Sequence, residues 1–434
     1  MRVTRRELLN TVAWGAGVGA TRAVRPRVAS AQVETDATTR QLQADLVRHA
    51  AFGDKFSGGP GDTATAEWVA DRLRASGYRV EETEFDAPYF VKRAARLTSG
   101  TASAEVIPQA PVIPTGAGGV SAPLALVDGE VGSVRGRIAL VIAPFARHAA
   151  LFADRGVGRT VVEAAQKGAA AVVIVTTGPS GEAAALNAPE EPFIPVPAAV
   201  LAPKHAEPFV RAARAGTPAT LVLDGDAVHR PCKNVIGRVQ RGDRWIALST
   251  PRSGWFGCVG ERGTGTAVLL ALADWAARRF PDLSVFVMNT GGHEYFFAGS
   301  HRAIERAPAP GDTIVWAHVG AALAARDAEE REGRWIMLDT ADPQRSLMAS
   351  DAVREFAATG FRGVSGLERP GPVRSQAGEL STFTDRGYAN AFAVLGVHRW
   401  FHTVEDTLER VDARLLVPVL RAHQRTIELV VAAA

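Results

Sequence analysis

Apolar positions along the chain change their period several times, and each change predicts an element. Between Thr63 and Ser76 the residues Ala66, Val69, Ala70 and Leu73 fall on one helical face, Gly77 supplies the stop, and Tyr78–Phe85 alternates as a strand. The stretch Ala94–Asp224 is rich in Ala, Val, Gly and Pro. It holds strand-like runs at Ile138–Ile142, Ala170–Thr176 and Ala219–Leu223 and a helical run at Thr160–Lys167, and His229-Arg230-Pro231 reads as a hinge at its end. From Asn234 a new rhythm begins. Trp245–Ser249 is a strand, Thr266–Phe280 is a helix with Val268, Leu269, Leu272 and Trp275 on its apolar stripe, and Ser284–Thr290 and Thr313–Val319 are continuous apolar runs of buried-strand type. Ala389–Leu395 adds a strand and Arg410–Val431 closes the chain as a helix. Alternating strands and helices predict an α/β fold, a mostly parallel sheet sandwiched by helices, with functional groups gathered outside the carboxyl ends of its strands.

Composition narrows the class. With 434 residues, 47% hydrophobic and 22% charged, the chain is globular and long enough for more than one core. Two cysteines, Cys232 and Cys258, rule out a disulfide framework or a Cys-rich metal site and leave open whether they pair. No apolar run after residue 31 reaches the roughly 20 residues of a membrane span. The net charge of +3 comes from the N-terminus, where six arginines against Glu7 supply +5 within residues 1–31 and leave about −2 for the rest. Nucleic acid is therefore not an expected partner. Thr4-Arg5-Arg6-Glu7-Leu8-Leu9-Asn10, a mildly apolar stretch and Ala29-Ser30-Ala31 resemble a twin-arginine export signal with its cleavage site, which predicts a periplasmic or extracellular protein.

The strand-end rule selects the candidate chemistry. It presents Thr250-Pro251-Arg252, His293-Glu294, His318 and, a few residues after the last strand, His402; the loop before the helix at 266 contributes Glu261-Arg262. Two carboxylates and three imidazoles at one sheet edge form an oxygen–nitrogen set suited to Zn²⁺. Other chemistries are absent. No serine has glycine at both −2 and +2, His293-Glu294-Tyr295-Phe296-Phe297 lacks the second histidine of H-E-x-x-H, and Gly260-Glu261-Arg262-Gly263-Thr264-Gly265 lacks the lysine of a phosphate loop.

Over most of residues 40–430 these motifs resemble the zinc aminopeptidase family that includes glutamate carboxypeptidase II and glutaminyl cyclases, a phosphorylase/hydrolase-like fold. Phe401-His402-Thr403-Val404-Glu405-Asp406-Thr407 is similar to the family's terminal Y-H-T-x-x-D-T, and Asn234-Val235-Ile236-Gly237 to its re-entry into the catalytic sheet. Val134–Val141, Ala164–Val173 and Ile194-Pro195-Val196-Pro197 resemble a protease-associated β-rich domain inserted in many members. The implied organisation is a signal at 1–31, a discontinuous catalytic-type domain at 32–93 and 230–434, and an insertion at 94–229. The family's first metal motif, H-x-D, falls on Thr250-Pro251-Arg252, its bridging Asp on Glu261, its E-E pair on His293-Glu294, and its later Asp on His318. The resemblance thus implies one zinc ion held by Glu261, Glu294 and His402, with His293 as base and Arg252 or His318 stabilising an oxyanion or holding a substrate carboxylate. The expected activity is hydrolysis of a peptide or small amide. A non-catalytic binding protein on the same fold, or cyclisation of N-terminal glutaminyl peptides, are the alternatives.

Overall fold

The computed structural model describes residues 26–145, 155–373 and 378–434. Residues 1–25 of the expected leader, its arginine pair included, lie outside the described residues, and the expected cleavage site falls in the backbone helix Pro26–Ala51. Among the described residues no helix is long and apolar enough to cross a membrane.

The strands Ala391–Gly396, Thr313–Val319, Trp245–Pro251 and Ser284–Thr290 are parallel neighbours in that order. They are apolar on both faces because both faces are covered, and every residue of Ser284–Thr290 and Thr313–Val319 is buried. Arg345–Ala349 joins antiparallel at one edge, and the long strand Pro218–Val239 joins antiparallel beyond Ser284–Thr290. The helices Pro60–Ala75, Thr264–Arg279 and Ala413–Ala433 cover one face through Leu73, Leu272, Leu416 and Leu420. On the other, Phe286, Met288, Trp316 and Phe383 form a second packed layer. This is the predicted mostly parallel sheet between helices.

A second lobe grows from the far end of two long strands, Arg79–Ser99 and Pro218–Val239, which pair antiparallel along most of their length. Its parallel strands Val120–Val127, Ile138–Phe145, Ala171–Thr177 and Ala198–Leu201 enclose cores of their own, one around Val141 and Ile174 and one around Leu140, Val173 and Phe209. The boundaries expected at 94 and 229 fall inside the two long strands. The hinge expected at His229-Arg230-Pro231 is a strand: Pro231 pairs with Asp86, and a local turn signal yields to the ladder on either side of it.

Candidate functional site

The carboxyl ends of the parallel strands and the loops beside them bring the six residues selected from sequence into one buried region. It is arranged as three linked groups.

The first centres on Glu261, in a wide helical turn, Val259–Gly263, ahead of the helix Thr264–Arg279. Asp406 builds this turn: its carboxylate accepts the Gly260 N–H (2.7 Å) and the Glu261 N–H (3.0 Å) and meets His398 Nε2 at 3.2 Å. That is a physical reason for the acid four residues after His402. Glycine is required at 260, because a Cβ would lie 2.7 Å from Asp406 Oδ1. The Glu261 Oε1 atom meets His402 Nε2 at 3.0 Å and the Arg262 guanidinium at 2.7 Å, all three side chains being buried. His402 Nδ1 donates to the Ala185 carbonyl at 3.0 Å. With Nδ1–H given to a carbonyl, Nε2 faces the carboxylate as it would face a metal ion, and it bonds to Glu261 itself only as the imidazolium. Burial would raise the Glu261 carboxyl, but Arg262 and His402 outweigh it and bring it to about 2.

The second group is Glu294. Its Oε2 accepts from Ser57 Oγ (2.6 Å) and Ser253 Oγ (2.8 Å), while Oε1 is buried without a partner. Ser253 also accepts the His293 N–H, and its carbonyl accepts Arg262 Nε at 2.9 Å. Arg262 therefore spans the space between the Glu261 carboxylate and the residue that grips Glu294.

The third group contains an acid that the strand-end rule does not select. Glu379 Oε2 lies 3.6 Å from His293 Nδ1 and 3.7 Å from His318 Nε2, and its Oε1 accepts from Thr290 Oγ1 at 3.1 Å. Trp316 Nε1 donates to Ser249 Oγ, which meets His318 Nδ1 at 2.9 Å, so a proton on Nε2 points toward Glu379. Burial lowers His318 to about 4 despite Glu379, so it is neutral at pH 7. Burial would raise Glu379, but His293 and then His318 outweigh it and hold it at about 2. His293 alone in this group keeps some side-chain exposure, at 14%.

One further expectation changes, and one open question closes. Arg252 is placed to brace the interior and not to hold an oxyanion or a substrate carboxylate, because it is wholly buried and four of its five N–H groups are bonded to protein acceptors. Nε bonds Asp62 at 2.7 Å, one terminal nitrogen bonds Asn289 Oδ1 at 3.1 Å, and the other bonds the Lys233 carbonyl at 2.6 Å. Cys232 and Cys258 are free, buried thiols, both raised by burial.

The three expected zinc ligands are only partly brought together. Two of them meet, Glu261 and His402, but Glu294 is turned to two serines. Among the described residues no group of three His, Cys, Asp or Glu residues is arranged to hold a metal. The Arg262 guanidinium is the decisive element. A divalent ion about 4 Å from it would meet a repulsion of roughly 8 kcal/mol at an effective dielectric near 20. With Arg262 in place, the residues do not fit the ion.

The region is nonetheless a built site. Of the seven non-glycine residues with φ in the left-handed region among the described residues, six (Phe256, Cys258, Phe296, Phe297, Ala322 and His402) lie in its loops. Each such residue costs on the order of 1 kcal/mol, and such strain persists where surrounding structure over-determines it. The second lobe also reaches in, as Ala185 N–H donates to the His402 carbonyl (2.9 Å) and Ala188 N–H to the Glu294 carbonyl (3.0 Å).

No protein-family profile and no curated protein matches this chain. Solved structures do match. BSAP, a zinc aminopeptidase from Bacillus subtilis, is 16% identical with a TM-score of 0.69, the match covering 90% of this chain and 94% of that one. An aminopeptidase from Aneurinibacillus sp. strain AM-1 is 17% identical with a TM-score of 0.66, covering 91% and 94%. The chain has the fold of the zinc aminopeptidases, the one its motifs resemble.

Proposed function

We propose that this is an exported peptide-binding protein on the zinc aminopeptidase fold, with a salt-bridged centre where a catalytic ion would sit. One observation carries the reading: the buried Arg262 guanidinium lies 2.7 Å from the buried Glu261 carboxylate, on the oxygen that also meets His402. A fixed cation there removes the open coordination position that metal-assisted hydrolysis needs. The retained strain in six loop residues supports a site kept for recognition. A cavity of about 130 Å³ adjoins Tyr295, the neighbour of Glu294, and is lined by Tyr89, Pro111, Glu190, Glu191 and Pro192 among others. An engineered cavity of about 150 Å³ takes a benzene ring, so this one suits a single side chain. The second lobe, read as a protease-associated domain, contributes Glu190 and Glu191 to that cavity.

The test is made on the mature protein, with residues 1–31 removed. No stoichiometric metal, no shift of the melting temperature in chelator, no hydrolysis of aminoacyl anilides and a raised melting temperature with short peptides are the expected results. Stoichiometric zinc whose removal abolishes turnover would overturn the reading.

A second reading is a hydrolase of amide or peptide bonds with one zinc ion among Glu261, Glu294 and His402 and with His293 as base. The posture of His402, its Nδ1–H given to Ala185, favours it. It requires Arg262 to leave Glu261.

A further inference from the structure

A stretch of the protein's own chain lies against the site as a bound peptide would. Between the strands Ala171–Thr177 and Ala198–Leu201 the second lobe sends out residues 178–197, of which 183–189 (Ala-Ala-Ala-Leu-Asn-Ala-Pro) belong to no helix or strand. Irregular backbone normally runs over the surface. Here Ala184, Ala185, Leu186 and Ala188 are buried. The backbone of this strap is bonded to the two loops that carry His402 and Glu294. Ala185 makes a reciprocal pair with His402: its N–H donates to the His402 carbonyl at 2.9 Å, and its carbonyl accepts from His402 Nδ1 at 3.0 Å. Three residues on, the Ala188 N–H donates to the Glu294 carbonyl at 3.0 Å. Between them Asn187 Oδ1 accepts from Trp255 Nε1 at 2.9 Å. The side chains at the contact are small, and Ala185 packs among Trp255 and Tyr295. Two ion pairs on the surface tie the ends of the strap, Glu182 with Lys204 and Glu190 with Arg302.

We propose that His402, Glu294 and Trp255 form a docking surface for an extended peptide of small residues, and that residues 184–188 occupy it as an internal ligand. Main-chain bonds hold such a peptide, and the side-chain positions select it. This rests on the peptide-binding reading of the site and names its ligand: small side chains at two positions three apart, with an amide side chain just before the second. Tethering sets the competition. A segment joined to the surface by a short flexible link acts at an effective concentration in the millimolar range, so a free peptide binds weakly while the strap is in place. Exposed ion pairs add little each, so the ends of the strap are lightly held.

The experiment compares the mature protein with two double variants. Ala185→Pro with Ala188→Pro removes both N–H donors of the strap; Lys204→Ala with Arg302→Ala frees its ends and leaves its contacts. Hydrogen exchange of the unliganded proteins is read by mass spectrometry, and binding of the labelled peptide Ala-Ala-Ala-Leu-Asn-Ala-Pro by fluorescence anisotropy. In wild type the amides of 184–188 are expected to exchange faster than those of Thr313–Val319, by local opening. The ion-pair variant should speed them about threefold or more and leave Thr313–Val319 unchanged. The proline variant should bind the peptide at least ~10-fold more tightly than wild type, and a peptide with phenylalanine in place of its third alanine should not bind. Should the proline variant not fold, the ion-pair variant carries the same comparison, with a gain of about threefold expected. Exchange at 184–188 as slow as in Thr313–Val319, unmoved by freeing the ends, would make the strap a fixed part of the fold and overturn the proposal. Equal peptide affinity in wild type and in a released variant, or no binding by either while other short peptides still raise the melting temperature of wild type, also overturns it. Failure of every peptide with both wild type and the released variants overturns the peptide-binding reading as well.

Discussion

Arg252→Met gives the most direct measure of what the altered first motif does. In the structure this arginine is a wholly buried partner of Asp62, which in turn accepts the Gly58 N–H and faces the Cys232 thiol. Methionine retains much of the apolar stem but removes the charge and the bonds to Asn289 and the Lys233 carbonyl. Breaking one side of a buried ion pair typically costs about 3–5 kcal/mol, because the remaining charge is left uncompensated. A value near 4 kcal/mol is expected here, since a backbone carbonyl also loses its donor. Adding Asp62→Asn removes the orphaned charge, and the double variant should recover about half of that loss. Urea unfolding followed by tryptophan fluorescence reads each difference from the midpoint and slope. A single variant within ~1 kcal/mol of wild type that has lost ligand binding would show that Arg252 serves the ligand, and the structural account of it would fail.

Other outcomes follow from the same network. His318 and His423 are lowered to about 4 by burial, and His49 is also well below its usual value. The unfolded chain therefore binds more protons below pH 6.5, and stability should fall as pH drops from 6.5 toward 4, by up to roughly 3 kcal/mol for each of the first two. Urea unfolding at pH 7 and pH 5 checks this, and identical stabilities would contradict it. Gly260→Ala places a Cβ 2.7 Å from Asp406 Oδ1 and 2.9 Å from His398 Nε2, so about 1–3 kcal/mol of overpacking is expected, with faster amide exchange at residues 259–263. Replacing Arg5 and Arg6 by lysine should strand the protein in the cytoplasm, as cell fractionation would report; undiminished export would rule out the twin-arginine route.

The sequence pattern carries far where burial is two-sided. Ser284–Thr290 and Thr313–Val319 appear end for end as their apolar runs suggest, because no surface-facing position interrupts them. Tyr78–Phe85, from Arg79 on, and Ala219–Leu223 are each only part of a strand over twenty residues long. Alternation fades along them where polar Asp86, Asp224 and Arg230 lie in a ribbon between the lobes, and ladder bonds rather than side-chain pattern hold the extension. At the site, His402 was legible through the spacing of its neighbours, and Asp406 now has a mechanical role. Glu379 escaped because it comes from a loop before the short helix Leu380–Thr384, not from a strand end, and no local motif marks it. Its signal is spatial: a fully buried acid facing two imidazoles. The buried role of Arg252 is hidden for a related reason: its position matches a metal-supporting residue, while its buried partner, Asp62, lies 190 residues earlier.

Charge balance explains why these substitutions occur together. The resemblance places Arg252, His293 and His318 where the family has carboxylates, and Arg262 adds a cation beside a fourth. A centre that loses divalent ions must shed negative charge in step, or its acids stay buried and uncompensated. Glu261 is met by Arg262 and His402, while Glu379 faces two imidazoles, of which His318 is neutral at pH 7. Glu294 alone has only two serine hydroxyls and an unpartnered oxygen. Glu294→Gln therefore gives opposite signs under the two readings. In a metal-free centre it removes an uncompensated buried charge while an amide oxygen still accepts from the serines, so stability should rise by about 1 kcal/mol. In a zinc centre it removes a ligand, and the melting temperature must fall together with the metal content.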